Sequence, residues 1–428
     1  MKENMSFREM LGQRLFISVE GTEITDELRM LITEYKCGNI VLFQSNIVSF
    51  EQTKRLCREI QELVTRELGE SALIAIDQEG GGVTRLSEDF VNVPGAMALA
   101  ATGDGQAVYD ASAVTAHELR AAGVNFNFAP VADISCDPDN PVIGVRSFGE
   151  TPEAVSRYAV RAYQGFEDGH IASSAKHFPG HGDTHTDSHL SLPSIDKTLE
   201  ELESFEFRPF EALIRAGCPA VMTAHIVYPQ IEKKMIPATM SRLFLTDILR
   251  GRMGFDGLIL TDSLEMNAIR RVCGAGRGAV AAIQAGCDML LTGKGAEIII
   301  EEINAVEAAA ARGEIDMDEM AASLRRIEAC KRRYCLPPEG EAGSAAARTL
   351  SDGLRRRSMT LVSGKIPALG KSPLFVGPED YRLALVSNEV GLEQSFPQFM
   401  AGRFGGREIT TGNSISDSLI AEAAEAAR

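Results

Sequence analysis

Eight short runs of β-branched and other apolar residues recur through roughly the first three hundred residues, with helical patterns between them. The runs are residues 15–19, 40–43, 73–77, 124–128, 171–175, 220–224, 258–261 and 289–292. Residues 51–68, 105–122, 152–169, 199–216 and 241–250 carry apolar positions at helical spacing. Strand followed by helix, repeated in this way, implies parallel strands joined by helical crossovers. Eight such units favour a closed (β/α)8 barrel, with an open doubly wound sheet as the alternative. The runs at 73, 171, 220 and 258 lead directly into polar residues: Asp77, Lys176 and His177, His225 and Asp262. In a barrel the C-terminal ends of the strands share one face, where sites are built, so these side chains are expected to converge. The competing role for an acidic residue after a strand is capping the next helix.

Helical stretches at 296–312 and 316–333 are expected to complete the barrel, giving a first domain of residues 1–336. The segment LPPEGEAGS that follows reads as a linker, set at 337–347. Residues 348–428 are expected to form a partial, sandwich-like α/β domain, with a helix over 345–357 at its entry, strand-like runs at 359–362, 373–376 and 381–386, and a terminal helix from 416.

Sixty acidic against 43 basic residues leave a formal net charge of −17, which repels phosphate backbones and anionic head groups. Neither nucleic acid nor a membrane is therefore expected as a partner. Residues 1–10 lack the apolar core of a signal peptide and no later run is long enough to span a bilayer, so the chain is expected to be cytoplasmic. The eight cysteines have no CxxC spacing and read as reduced, mostly buried thiols.

Four of the seven histidines lie in KHFPGHGDTHTDSH, at 177, 181, 185 and 189. On a helix this spacing would stack four imidazoles and suggest a transition metal. Pro179, Gly180 and Gly182 break any helix there, so the segment is expected to be a loop holding no metal. In extended chain, Asp187 and His189 project to the same side, and a carboxylate bonded to an imidazole suits a proton shuttle or a purely structural pair. Asp262, at the end of an apolar strand, is placed either to attack an anomeric carbon or to cap a helix. The loop IDQEGGGVTRL offers Asp77, three glycines and Arg85 but no Walker lysine, and it reads as a site for sugar hydroxyls.

The strings IDQEGGGVTRL, NFNFAPVADI, VRSFG, KHFPGHGDTHTDSHLSLP and GLILTDSLEM, in this order, resemble the family 3 glycoside hydrolases, in particular their β-N-acetylglucosaminidase branch. The similarity covers most of residues 8–335. It implies a retaining, exo-acting hydrolase of terminal β-linked N-acetylglucosamine, with peptidoglycan fragments as one source, and no cofactor. By the same resemblance Asp262 is the nucleophile, His189 the acid/base and Asp187 its support. Asp77, Arg85, Arg146, Lys176 and His177 would surround the terminal sugar, although Arg146 alone reads only as a loop cation. The family usually carries Arg at the position of Gly82, which implies one missing loop contact. A phosphorylase, a β-glucosidase and a non-catalytic sugar-binding protein stay open as alternatives.

Overall fold

The computed structural model describes residues 5–18, 20–184, 192–270, 273–361, 373–378 and 395–411, together with residues 421 and 425. Each of the eight expected strand runs forms a strand: β1 Leu15–Ser18, β2 Asn39–Leu42, β3 Ile74–Ile76, β4 Phe126–Asn127, β5 Ala172–Phe178, β6 Ala220–Thr223, β7 Leu258–Leu260 and β8 Leu290–Leu291. All are parallel, in the order β7-β6-β5-β4-β3-β2-β1-β8. A parallel bridge from Leu260 to Met289 joins the two ends, so the sheet closes on itself as a (β/α)8 barrel rather than an open sheet.

Closure leaves no barrel strand edge in water, and strands such as β2 and β7 are largely apolar on both faces because both are buried. Alternate residues divide between two cores. Phe16, Val41, Ala75, Phe126, Met222 and Leu260 point inward, while Ile17, Ile40, Ile74 and Ile259 pack against the surrounding helices. Phe16, Phe126 and Phe128 meet edge to face at centroid distances of 5.5–5.6 Å inside the barrel. The helix Met317–Tyr334 adds Ile327, Cys330 and Tyr334 to the same inner core.

Most helices follow their sequence signals, with several differences, one being that the stretch at 241–250 forms a π-helix, Leu243–Arg252. The stretch at 199–216 is two helices, Leu199–Ser204 and Phe207–Ala216. Pro209 lies in the first turn of the second, where the missing N–H is tolerated, so a fresh start there satisfies it better than a continuous helix would. A helix at Ala275–Ala285 escapes the apolar pattern because glycine interrupts it. Those glycines allow close packing: a Cβ at Gly276 would lie 2.8 Å from Ala305 Cβ on the neighbouring helix Ala296–Ala311.

Chain contacts divide the protein after Ser358, into Met1–Ser358 and Met359–Arg428. The composition-based linker at 337–347 thus falls within the span of the first unit, and so does the helix Ala345–Arg357. That helix is bonded to the barrel loops through Ser351 Oγ to Asn92 O (2.9 Å) and Arg348 Nη2 to Asp89 O (2.7 Å). Within the second unit, the described residues form two parallel strands, β9 Leu374–Pro378 and β10 Arg407–Thr411, and a helix, Phe396–Phe404. The run at 381–386 and most of the helix expected from 416 lie outside the described residues. Among the described residues no helix is long and apolar enough to cross a membrane, and all eight cysteines are free thiols, five of them buried.

Candidate active site

The loops at the C-terminal ends of β3, β4, β5, β6 and β7 carry most of the polar side chains singled out in the sequence. After β3 the chain turns sharply at Gly80 and Gly81, whose φ values of +91° and +61° only glycine adopts without strain. The turn lies flat on residues 93–95, where a Cβ at Gly81 would come within 2.9 Å of Gly95 backbone. Gln78 secures the returning strand: its Oε1 accepts the Arg85 N–H (2.9 Å) and its Nε2 donates to Thr84 Oγ1 (2.7 Å). Asp77, Glu79 and Arg85 are thereby held on a rigid loop, with Arg85 buried.

Lys176, near the end of β5, reaches across to this loop. Its Nζ lies 2.8 Å from Asp77 Oδ1 and 2.7 Å from Glu79 Oε1. Arg146, from the loop after β4, grips Glu79 with two bonds, Nε to Oε2 (2.9 Å) and Nη2 to Oε1 (2.7 Å). The side chains of Lys176, Glu79 and Arg146 are 2, 6 and 7% exposed, whereas Asp77 is 18% exposed and marks the wet end of the cluster. Burial alone would raise the Glu79 carboxyl, but the charges and hydrogen bonds of Arg146 and Lys176 outweigh it and hold Glu79 well below the usual carboxylate range. Burial would likewise lower Arg146 and Lys176, yet Glu79 raises Arg146, and Asp77 and Glu79 raise Lys176. The four groups form a network of two carboxylates and two cations in which Glu79 is shared by both cations.

A second buried carboxylate organises the next residue along β5. Asp133 Oδ2 accepts from the His177 backbone N–H (3.1 Å) and pairs with His177 Nδ1 (2.7 Å), while Oδ1 accepts the His181 N–H (2.7 Å). The Lys176–His177, Phe178–Pro179 and Ala129–Pro130 peptide bonds are cis. His181 is buried against Thr184, with Nδ1 to Oγ1 at 2.8 Å, and burial, assisted by the neighbouring His177, lowers its pKa to about 4.

Asp262 follows β7, where its N–H donates to Thr223 O at the end of β6 (3.3 Å) and its Oδ1 accepts the Ser263 N–H (2.7 Å). His225, the polar residue after β6, spans Thr239 Oγ1 and Ser263 O, each at 2.9 Å, and so braces the backbone beside Asp262. Lys176 thus joins Asp77 to Glu79, Glu79 joins Lys176 to Arg146, and His177 adjoins them along β5. Arg85 and Asp262 belong to the same barrel mouth through their strands. Asp187 and His189 lie outside the described residues.

Two residues that organise the site were missed by sequence reasoning, Glu79 and Asp133. Each stood in a quoted string, and each is a carboxylate in a glycine-rich or apolar stretch, which is the signal that a buried ion pair leaves. One group of potential metal ligands occurs among the described residues, Cys136, Asp183 and Glu206, within 4.8 Å of one another. Lys197 Nζ already lies between its two carboxylates, at 2.7 and 2.5 Å, so the protein's own cation supplies the countercharge there.

Residues 6–330 match the glycosyl hydrolase family 3 N-terminal domain. A beta-hexosaminidase of Neisseria meningitidis serogroup C is 40% identical over 278 residues, which is 63% of this chain and 74% of that protein. A beta-hexosaminidase of Chromobacterium violaceum is 37% identical over 351 residues, 79% of this chain and 94% of that one. Among solved structures, a glycoside hydrolase family 3 beta-N-acetylglucosaminidase from Paenibacillus sp. str. FPU-7 is similar at a TM-score of 0.91 and 36% identity, covering 99% of this chain and 82% of that chain.

Proposed function

Since the chain belongs to glycosyl hydrolase family 3 and is a glycoside hydrolase, we propose that it removes terminal β-linked N-acetylglucosamine by a retaining, two-step displacement. Asp262 attacks C1 of the sugar while His189 protonates the leaving oxygen. His189 then takes a proton from water, which releases the sugar from Asp262 with the anomeric configuration kept. An imidazole serves both halves because its ordinary pKa, about 6.5, lets it hold or lose the proton near neutrality. Asp187 orients it.

The observation that carries the reading is the ion-paired floor of Asp77, Glu79, Arg146 and Lys176 in the same strand-end face as Asp262. Asp77 keeps one oxygen on Lys176 and is the most exposed member, so it accepts from a sugar hydroxyl without leaving its ion pair. Arg85, Arg146, Lys176 and His177 supply the remaining polar contacts of the terminal ring. Side chains held by buried partners do not reorganise when the substrate arrives, which lowers the barrier more than mobile side chains would. Glycan ends such as those of peptidoglycan fragments supply the substrate class, and turnover takes place in the cytoplasm.

Turnover of an aryl β-N-acetylglucosaminide, beside the unsubstituted glucoside and with and without phosphate, tests the assignment. Asp262→Ala is expected to bind N-acetylglucosamine and lose turnover; near-normal turnover would overturn it. His189→Ala is expected to lose more rate with a poor leaving group than with a good one, and equal losses would remove its acid role. Sugar 1-phosphate as the product in phosphate buffer would replace hydrolysis by phosphorolysis.

A further inference from the structure

We propose that Lys197 is a positioning residue for acid/base catalysis, because its ammonium ties together the two flanks of the loop that carries Asp187 and His189. The proposal rests on the reading of His189 as the acid/base. In chain order, residues 179–184 lead into that loop from β5, and residues 192–198 lead out of it to the helix Leu199–Ser204. Each flank is fixed separately to a neighbouring loop. On the entry side Asn140 Nδ2, from the loop after β4, donates to His181 O (2.9 Å) and Thr184 O (3.1 Å). On the exit side the Ile195 N–H donates to Val227 O (2.9 Å) and the Val227 N–H to Pro193 O (2.9 Å), in the loop after β6. Lys197 joins one flank to the other: its Nζ lies 2.7 Å from Asp183 Oδ2 and 2.5 Å from Glu206 Oε1.

Glu206 anchors this bridge to the barrel. It directly precedes the helix Phe207–Ala216, whose Phe207 and Phe210 rings pack on Phe178 at the end of β5, each at a centroid distance of 5.4 Å. The entry flank is pressed against it: a Cβ at Gly180 would lie 2.8 Å from Glu206 Cγ. Glu206 is 4% exposed, and among the described residues its Oε2 has no hydrogen-bond partner, so its countercharge comes from Lys197. The Phe205 ring, 5.7 Å from the ammonium, supports Lys197 from another side.

The charge of Lys197 is what makes the arrangement hold. Carboxylate oxygens of Asp183 and Glu206 lie within 4.8 Å of each other, and two carboxylates that close repel unless a cation stands between them. Burial would lower Lys197, but its hydrogen bonds to Asp183 and Glu206 raise it, so the bridge stays charged across the neutral range. Without the ammonium, attraction between the flanks becomes repulsion. Asp183 is the more exposed carboxylate and is the one that yields, taking the entry flank with it. Keeping residues 183 and 197 together limits the conformational freedom of everything between them. A catalyst borne on a loop needs that restriction to meet a sugar already fixed by the floor of Asp77, Glu79, Arg146 and Lys176.

The test is kcat/KM of the full chain on aryl β-N-acetylglucosaminides graded from a phenyl to a dinitrophenyl leaving group, with His189→Ala measured beside Lys197→Met. A displaced acid hurts poor leaving groups most, whereas general loosening of the fold lowers every substrate alike. Lys197→Met is expected to lose about a hundredfold on the phenyl glycoside and less than about tenfold on the dinitrophenyl one. Its affinity for N-acetylglucosamine should stay native. Lys197→Arg, which can still bridge two carboxylates, should restore the native series. Asp183→Asn should give the same graded loss, and it serves as the second reading where the circular dichroism of Lys197→Met is not native. The double variant should lose no more than Lys197→Met alone, because both changes break one bridge. A graded series in His189→Ala beside a native or uniformly lowered series in Lys197→Met and Asp183→Asn would overturn the proposal alone. A uniform series in His189→Ala would overturn the acid/base reading and the proposal with it.

Discussion

Glu79→Gln is the substitution that interrogates the site most directly, because one buried carboxylate supports two cations. In the native protein Asp77 and Glu79 balance Arg146 and Lys176, and the Glu79 side chain is 6% exposed. A glutamine at this position keeps the shape but leaves one positive charge in excess, and its amide N–H groups face donors where a carboxylate faced them. Removing one partner of a buried ion network costs about 3–5 kcal/mol, and Arg146 and Lys176 lose the bonds at 2.7 and 2.9 Å that aim them. Urea unfolding should register a loss in that range. The accompanying misplacement of the two cations assigned to the sugar should cost about a hundredfold in kcat/KM on an aryl β-N-acetylglucosaminide. The pH dependence has a definite sign. Because Glu79 is held below its ordinary pKa when folded, the unfolded chain binds the extra proton first. The contribution is therefore complete above the unfolded carboxyl pKa of 4.5, and it is lost as pH falls below that value toward the lower folded one. The glutamine variant should thus show a flatter acid limb. A stability change under about 1 kcal/mol, the range of a surface pair, with kcat/KM within twofold of native, would refute the reasoning.

His181 supplies a second pH signature at higher pH. Its folded pKa of about 4 lies below the ordinary 6.5, so the unfolded chain takes up the proton first. Stability is complete above pH 6.5 and should fall between there and pH 4 by up to about 1.4 kcal/mol per pH unit; a His181→Asn profile that runs parallel to the native one would contradict this. Gly81→Ala should cost about 1–3 kcal/mol, since alanine is strained at φ +61° and its Cβ would lie 2.9 Å from Gly95 backbone. An unchanged urea midpoint would show that the turn relaxes freely.

Much of the barrel was legible because its signals are local. Strand residues such as 40–42 and 258–260 are apolar without interruption, which is what burial on both faces demands. The helices Gly105–Ala122 and Ala345–Arg357 have the bounds that periodicity and flanking residues suggest. The helix Ala275–Ala285 was illegible because its glycines serve contacts with a neighbouring helix, and propensity counts them as breakers. The site shows the same division. Asp77, Lys176, His177 and Asp262 stand out as polar residues ending apolar strands, a position that a barrel turns toward one face.

The sequence by itself determined the alternation of strand and helix, the strand-end residues and the motif order by which the family is recognisable, since each depends on neighbours within a few positions. Tertiary structure alone decided which charges meet. Glu79 finds Arg146 across 67 residues and Asp133 finds His177 across 44. Burial multiplies the energy of such encounters, yet a pairing between distant segments leaves only an isolated charge in each. The physics of the site therefore becomes visible only when β3, β4 and β5 pair and bring these segments side by side.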